Sequence, residues 1–196
     1  MKPLPREFYK RDADQVARDL LGKHLVHRLP QGEAAVKITE TEAYLGVTDP
    51  ACHSYGDRRT CRTQPLYGPG GHAYIYLIYG IYHLLNAVTG ETGDPCAVLI
   101  RAAVPVRGEE LLARNRYGKP YRELSKSQLR GLCDGPGKLC RALGLTMEQN
   151  QWDLCRSPLM ITEGASQGGL IVAGPRIGVD YAGEAAAWPL NFKLGS

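Results

Sequence analysis

Residues 24–45 read HLVHRLPQGEAAVKITETEAYL. Apolar and polar residues alternate on both sides of Gln31 and Gly32, the period of two that sends successive side chains to opposite faces of a strand. Two such runs around a short polar turn predict a β-hairpin. Glu42 and Tyr44 stand two residues apart near the end of its second strand, so they share a face.

On the amino-terminal side, DADQVARDLLGK (12–23) predicts a helix. Asp12 is placed as N-cap with Gln15 three residues on, Val16 and Leu20 fall on one face, and Gly22 is positioned to end it. On the other side, residues 46–71 are rich in Gly, Pro, Asp, Thr and Arg with almost no apolar periodicity. A loop of that length in a compact domain is usually functional or disordered. YIYLIY, a break at Gly80, YHLLNAV, the turn TGETGDP and CAVLIRAAVPV then predict successive strands. GEELLARNR and SKSQLRGL predict helices, and GPGKLCRALGL (135–145) a glycine-proline turn opening a helix whose first N–H groups are free to receive a phosphate. LIVAGPRIGV (170–179) and the residues after it predict one or two strands and an irregular end. The periodicity gives an α/β domain (α+β) with a mostly antiparallel sheet, and length alone favours one domain over residues 1–196.

The composition is that of a globular chain: 196 residues, 43% hydrophobic and 22% charged. No apolar run approaches the roughly 18 residues that would span a bilayer, and the first 15 residues lack the apolar centre of a signal peptide. No membrane is expected as partner, and the sequence places the chain in the cytoplasm. The six cysteines are irregularly spaced and form no paired CxxC motifs, so they predict reduced thiols and no metal site. The net charge of +4 is unevenly spread. Residues 114–130, RNRYGKPYRELSKSQLR, set six cations against Glu123 alone, and Arg58, Arg59 and Arg62 form a second group. Two basic stretches flanking an aromatic segment point to nucleic acid.

That segment, YIYLIYGIY (74–82), holds four of the eleven tyrosines. A buried tyrosine needs a partner for its hydroxyl, which Val, Ile, Leu or Phe would not. Either aromatic residues serve here as good strand formers, or some of the rings are there for stacking.

ITETEAYLG, CHSYGDRRT, YIYLIYGIYHLLN, VLIRA and GPGKLCRAL, in this order, resemble the alkyladenine (3-methyladenine) DNA glycosylases of the mammalian type, over roughly residues 5–193. The resemblance implies a curled, barrel-like sheet without a helix-hairpin-helix. It also implies a hydrolase of base excision repair that turns alkylated or deaminated purines (3-methyladenine, 7-methylguanine, hypoxanthine, ethenoadenine) out of duplex DNA and cleaves the N-glycosidic bond. By the family pattern Glu42 would deprotonate the attacking water, and Arg101 would hold Glu42 ionised. Tyr44, His53 and Tyr76 would wall the base pocket, and Asn86 would exclude the 2-amino group of guanine. Tyr79 would fill the space the flipped nucleotide leaves. Tyr74 and Tyr82 receive no role beyond packing. No lysine falls among the matched catalytic positions, which implies a monofunctional enzyme without Schiff-base strand cleavage. No cofactor is implied. The expected partner is damaged duplex DNA, bound by a monomer, in the nucleoid of a bacterium or the nucleus of a eukaryote.

The chain departs from the family in stopping at NFKLGS and in carrying about two extra residues in TGETGDP. Two other readings stay open: a damaged-DNA-binding protein without hydrolysis, and a hydrolase of free nucleosides, which would need neither Tyr79 nor the basic stretch.

Overall fold

The structure is a computed structural model and describes residues 2–164 and 169–195. The elements run α1 (Arg6–Tyr9), α2 (Ala13–Leu20), β1 (His24–Leu29), β2 (Gly32–Tyr44), β3 (Ala73–Ile78), β4 (Tyr82–Thr89), β5 (Cys96–Arg107), α3 (Glu109–Tyr117), α4 (Lys126–Arg130), α5 (Pro136–Leu143), β6 (Leu159–Thr162), β7 (Ile171–Gly174) and β8 (Asn191–Leu194). All eight strands join one curled antiparallel sheet with the path β3-β4-β5-β2-β1-β6. The α/β fold class and antiparallel sheet are as the periodicity predicts, and the half-barrel curl is as the resemblance implies.

The 24–45 hairpin is the spine of this sheet. β1 pairs with the first half of β2, from His24↔Lys37 to Leu29↔Gly32. β2 then outruns β1, and β8 takes over the same edge at Glu40↔Lys193, Thr41↔Phe192 and Glu42↔Asn191. The changeover coincides with register shifts against β5 on either side of Glu40. A bulge of this kind bends a strand and increases its twist, which lets one long strand serve three neighbours. The bend brings the carboxyl-terminal strand beside Glu40 and Glu42.

Alternation fills the inside of the curl with Val36, Ile38, Ile75, Leu85, Val98, Ile100 and Phe192, closed by Val16 and Leu20 of α2 and Leu139 and Leu143 of α5. The predicted capping box at Asp12 does not form, since the Asp12 side chain makes no capping hydrogen bond. Ser125 and Gln128 make one at α4 instead. The α2 helix is held by burial of its apolar face, with Val16, Ala17 and Leu20 fully buried, and tertiary packing supplies most helix stability in proteins. The 46–71 stretch is ordered by three short 3₁₀ turns and by buried Ala51, Cys52, Leu66 and Tyr67. All six cysteines are free thiols. Among the described residues no helix is long and apolar enough to cross a membrane.

Candidate active site

Regular alternation carries Glu40, Glu42 and Tyr44 onto one face of β2. Glu42 is completely buried. Its Oε1 accepts from the Ile177 backbone N–H at 2.8 Å and from Asn191 Nδ2 at 3.0 Å, and its Oε2 accepts from the Tyr44 hydroxyl at 3.0 Å. A buried carboxylate is tolerable only with such a set of donors. Burial and the adjacent Glu42 charge raise the Tyr44 pKa well above the ordinary phenol value, so Tyr44 remains a hydroxyl donor.

Arg101 was expected to pair with Glu42. It lies on β5 in the neighbourhood foreseen, but its closer partner is Glu40, at 3.0 Å from Nε, against 3.6 Å to Glu42. Glu40 also accepts from Asn191 Nδ2 at 2.7 Å and faces Lys193 Nζ at 3.3 Å. Glu40 stands where β2 shifts register against β5 and pairs with β8 on its other edge. Two carboxylates therefore share one arginine and one amide.

Over this floor opens a cleft of about 960 Å³. Its lining includes Tyr44, His53, Tyr76, Asn86, Tyr79 and Arg101, so six of the seven residues singled out in the sequence meet at one place. The seventh, Glu42, lies just beneath, behind the Tyr44 hydroxyl. Tyr55, Tyr74, Tyr82 and Tyr181 also line it. Its cations are Arg58, Arg62, Arg101, Arg116 and Lys138, and among the described residues no carboxylate lines it. The Arg62 guanidinium sits 5.0 Å from the centre of the Tyr76 ring. A planar cation thus rests on the aromatic face in the free protein, a cation–π contact.

His53 packs edge-on against Tyr76, with ring centres 4.6 Å apart, and its Nδ1 lies 2.8 Å from the Tyr74 hydroxyl. Burial, with Arg62 and Arg58 nearby, pushes the His53 pKa down to about 4, so the ring is neutral at pH 7. Asn86, nearly buried, donates to the Tyr74 carbonyl at 3.1 Å. Tyr74 is therefore more than packing: it touches two other residues of the cleft.

Tyr79 stands at the mouth with 83% of its surface exposed. It occupies a turn closed by Ile81 N–H to the Ile78 carbonyl at 3.2 Å, and both Tyr79 and Gly80 have positive φ, +53° and +71°. That region costs a residue with a Cβ roughly 1–2 kcal/mol, and strain of this kind gathers at functional sites. Beside it, α5 comes so near that a Cβ on Gly137 would lie 2.9 Å from the Tyr82 ring. Only glycine permits that approach.

The support behind Tyr44 was not singled out from the sequence. Arg176 and Asp49 form a fully buried ion pair, with Nη2 at 2.9 Å from Oδ1 and Nη1 on Oδ2. Arg176 also donates to the carbonyls of Ala43 and Ala185 and lies 4.8 Å from the Tyr44 ring centre. Asp49 accepts from the Leu45 and Ala51 backbone. The pair ties together the end of β2, the loop that carries His53 and the segment that carries Ile177. A lone arginine in the otherwise apolar GPRIG stretch was the available signal. Among the described residues no group of three or more His, Cys, Asp or Glu is placed to hold a metal ion.

A family model described as methylpurine-DNA glycosylase matches residues 7–195. Among curated relatives, a protein of Desulfitobacterium hafniense is 50% identical over 194 residues, covering 99% of this chain and 96% of the relative. One from Clostridium acetobutylicum is 48% identical (97% and 93% covered), and one from Methanocella arvoryzae 48% (98% and 92%). All three carry the name "Putative 3-methyladenine DNA glycosylase".

Proposed function

This chain belongs to the methylpurine-DNA glycosylase family, and from that membership we propose that it is a monofunctional DNA glycosylase acting on alkylated and deaminated purines in duplex DNA. The observation that carries the reading is a buried, hydrogen-bonded carboxylate under the floor of a tyrosine-walled cleft lined by cations and no acids. Such a cleft suits a polyanion carrying an aromatic base.

In this reading the cations meet the phosphates, and the damaged purine leaves the stack at a cost of a few kcal/mol, least where its pairing is already weakened. Stacking on Tyr44 and Tyr76, with His53 edge-on to Tyr76 in the same wall, offsets that cost, at roughly 1–3 kcal/mol per base, and displaces Arg62 from Tyr76. Tyr79 enters the vacated space as a wedge. Asn86 narrows the pocket against the 2-amino group of guanine.

Glu42 is the general base. A carboxylate has about four acceptor sites. The three hydrogen bonds to Glu42 leave one on Oε2, beside the Tyr44 hydroxyl, and a base pressing on Tyr44 opens the way for a water to reach it. The water's proton passes to Oε2, its oxygen bonds to C1′, and the purine leaves with the electrons of the C1′–N bond. The charge of Glu42 stabilises the cationic sugar, while Arg101, shared with Glu40, and Asn191 keep the carboxylate oriented.

The test is single-turnover base release from duplexes containing hypoxanthine, 1,N⁶-ethenoadenine or 3-methyladenine. Release is expected with the strand intact until alkali is added. Binding without release from any of them would overturn the enzymatic reading, and strand cleavage without alkali the monofunctional one. Tyr79→Ala is expected to weaken affinity for the lesion duplex by roughly 5- to 150-fold, the equivalent of one stacking contact. Affinity should also fall steeply with salt, through counterion release from the phosphates that the cleft cations neutralise; a flat response would remove the phosphate contacts from the scheme.

A further inference from the structure

Tyr74 has no part in the scheme above, yet it is the residue that fixes the histidine wall. Its ring is buried, its hydroxyl meets His53 Nδ1 at 2.8 Å, and its carbonyl anchors Asn86. His53 lines the cleft, and with Nδ1 taken by Tyr74, Nε2 is the ring nitrogen left for a ligand.

We propose that Tyr74 is a specificity-determining positioning residue: its hydroxyl donates to His53 Nδ1, holds the imidazole in the Nε2–H tautomer, and so makes the histidine wall a hydrogen-bond donor to the bound base. The direction of the bond follows from donor chemistry. A neutral imidazole has one donor and one acceptor nitrogen, and a guanidinium has donors only. The Arg62 guanidinium also acts on the Tyr74 oxygen; with that oxygen accepting from Arg62, the hydroxyl hydrogen goes to His53 Nδ1. In the opposite sense, with Nδ1–H donating, the phenol hydrogen would be stranded between two donors in a buried site, and buried polar groups are rarely left unpaired.

The consequence is selective. A neutral purine such as hypoxanthine departs with the electron pair of the C1′–N bond and becomes negative. A donor at its edge therefore binds the transition state more tightly than the ground state. A purine that is already cationic, such as 7-methylguanine, departs as a neutral molecule and gains less. Tyr74 thus favours neutral lesions without touching the base. This rests on the glycosylase reading above.

The experiment compares single-turnover release of hypoxanthine and of 7-methylguanine by wild type and Tyr74→Phe, which keeps the ring and removes the hydroxyl. Losing one oriented hydrogen bond should lower the hypoxanthine-to-7-methylguanine rate ratio by about 3- to 10-fold. In parallel, ¹⁵N NMR of the wild-type His53 ring at pH 7 should show the proton on Nε2. Equal slowing of both substrates means a merely structural role and overturns the proposal, as does a proton found on Nδ1. Should wild type release neither base, the glycosylase reading is what has failed and the specificity claim falls with it; with wild type active, an unchanged ratio sinks this proposal alone.

Discussion

Replacing Glu42 by Gln is expected to slow single-turnover base release by about 10²–10⁴-fold, the usual contribution of a general base, with lesion-duplex affinity unchanged. Gln has nearly the same shape. Its carbonyl oxygen can accept from Ile177 and Asn191 as Oε1 does, and its NH₂ can donate to the Tyr44 oxygen, a hydroxyl being donor and acceptor alike. What it lacks is a site to receive the water's proton and a negative charge beneath the developing sugar cation. Melting temperature and duplex binding, measured alongside, separate this loss from a disturbed fold. Release as fast as wild type would remove Glu42 from the role, and Glu40, which shares Arg101 and Asn191 with it, would be the carboxylate to test next.

Arg176→Ala is expected to be the most destabilising single change around the site. Burial disfavours the Arg176 charge, but the Asp49 hydrogen bonds and charge outweigh it and raise the Arg176 pKa. Removing the guanidinium leaves the Asp49 carboxylate buried with only the Leu45 and Ala51 N–H groups. An uncompensated buried charge of this kind costs about 3–5 kcal/mol. At roughly 2–4 °C per kcal/mol for a domain of this size, the melting temperature should fall by about 6–20 °C. The double variant Arg176→Met, Asp49→Asn removes both charges and keeps an acceptor for one of the two backbone donors, which bond to different oxygens of Asp49, so it should recover part of the loss. Base release should stay slower than wild type even then, because the Tyr44 ring no longer rests against a cation and Ile177 loses the neighbour that aims its N–H at Glu42. A single variant melting within about 2 °C of wild type would mean that water or a shifted side chain satisfies Asp49, and the clasp would lose its importance.

These two experiments probe features of different legibility. Glu42 was readable: its place two residues before Tyr44 at the end of an alternating run put both on one face, and the ITETEAYLG motif carried the family resemblance. Tyr79 was readable too, because the break at Gly80 marked a turn from which a ring would project. Tyr74 was left without an assigned role, since alternation along β3 reports which face a residue takes and is silent on what its hydroxyl meets across the cleft. Arg101 was placed beside Glu42, and it pairs with it at 3.6 Å; the closer partner Glu40 was not foreseen, because the register shifts around Glu40 break the regular pairing of the two strands.

Local periodicity and turn chemistry encode the hairpin at 24–45, the strands β3, β4 and β5 that follow it, the helix that begins at Pro136, and the exposed tyrosine at the sheet's far turn; β6 (Leu159–Thr162) was not foreseen. Tertiary structure alone decided how the carboxylate is held. Ile177 and Asn191 reach Glu42 from 135 and 149 residues away, and Arg176 reaches Asp49 across 127. Those contacts exist because β2 bends, outruns β1 and accepts β8 on the freed edge. A period of two along a strand fixes the face a side chain takes, but its partner on that face depends on which distant strand the curl of the sheet brings alongside.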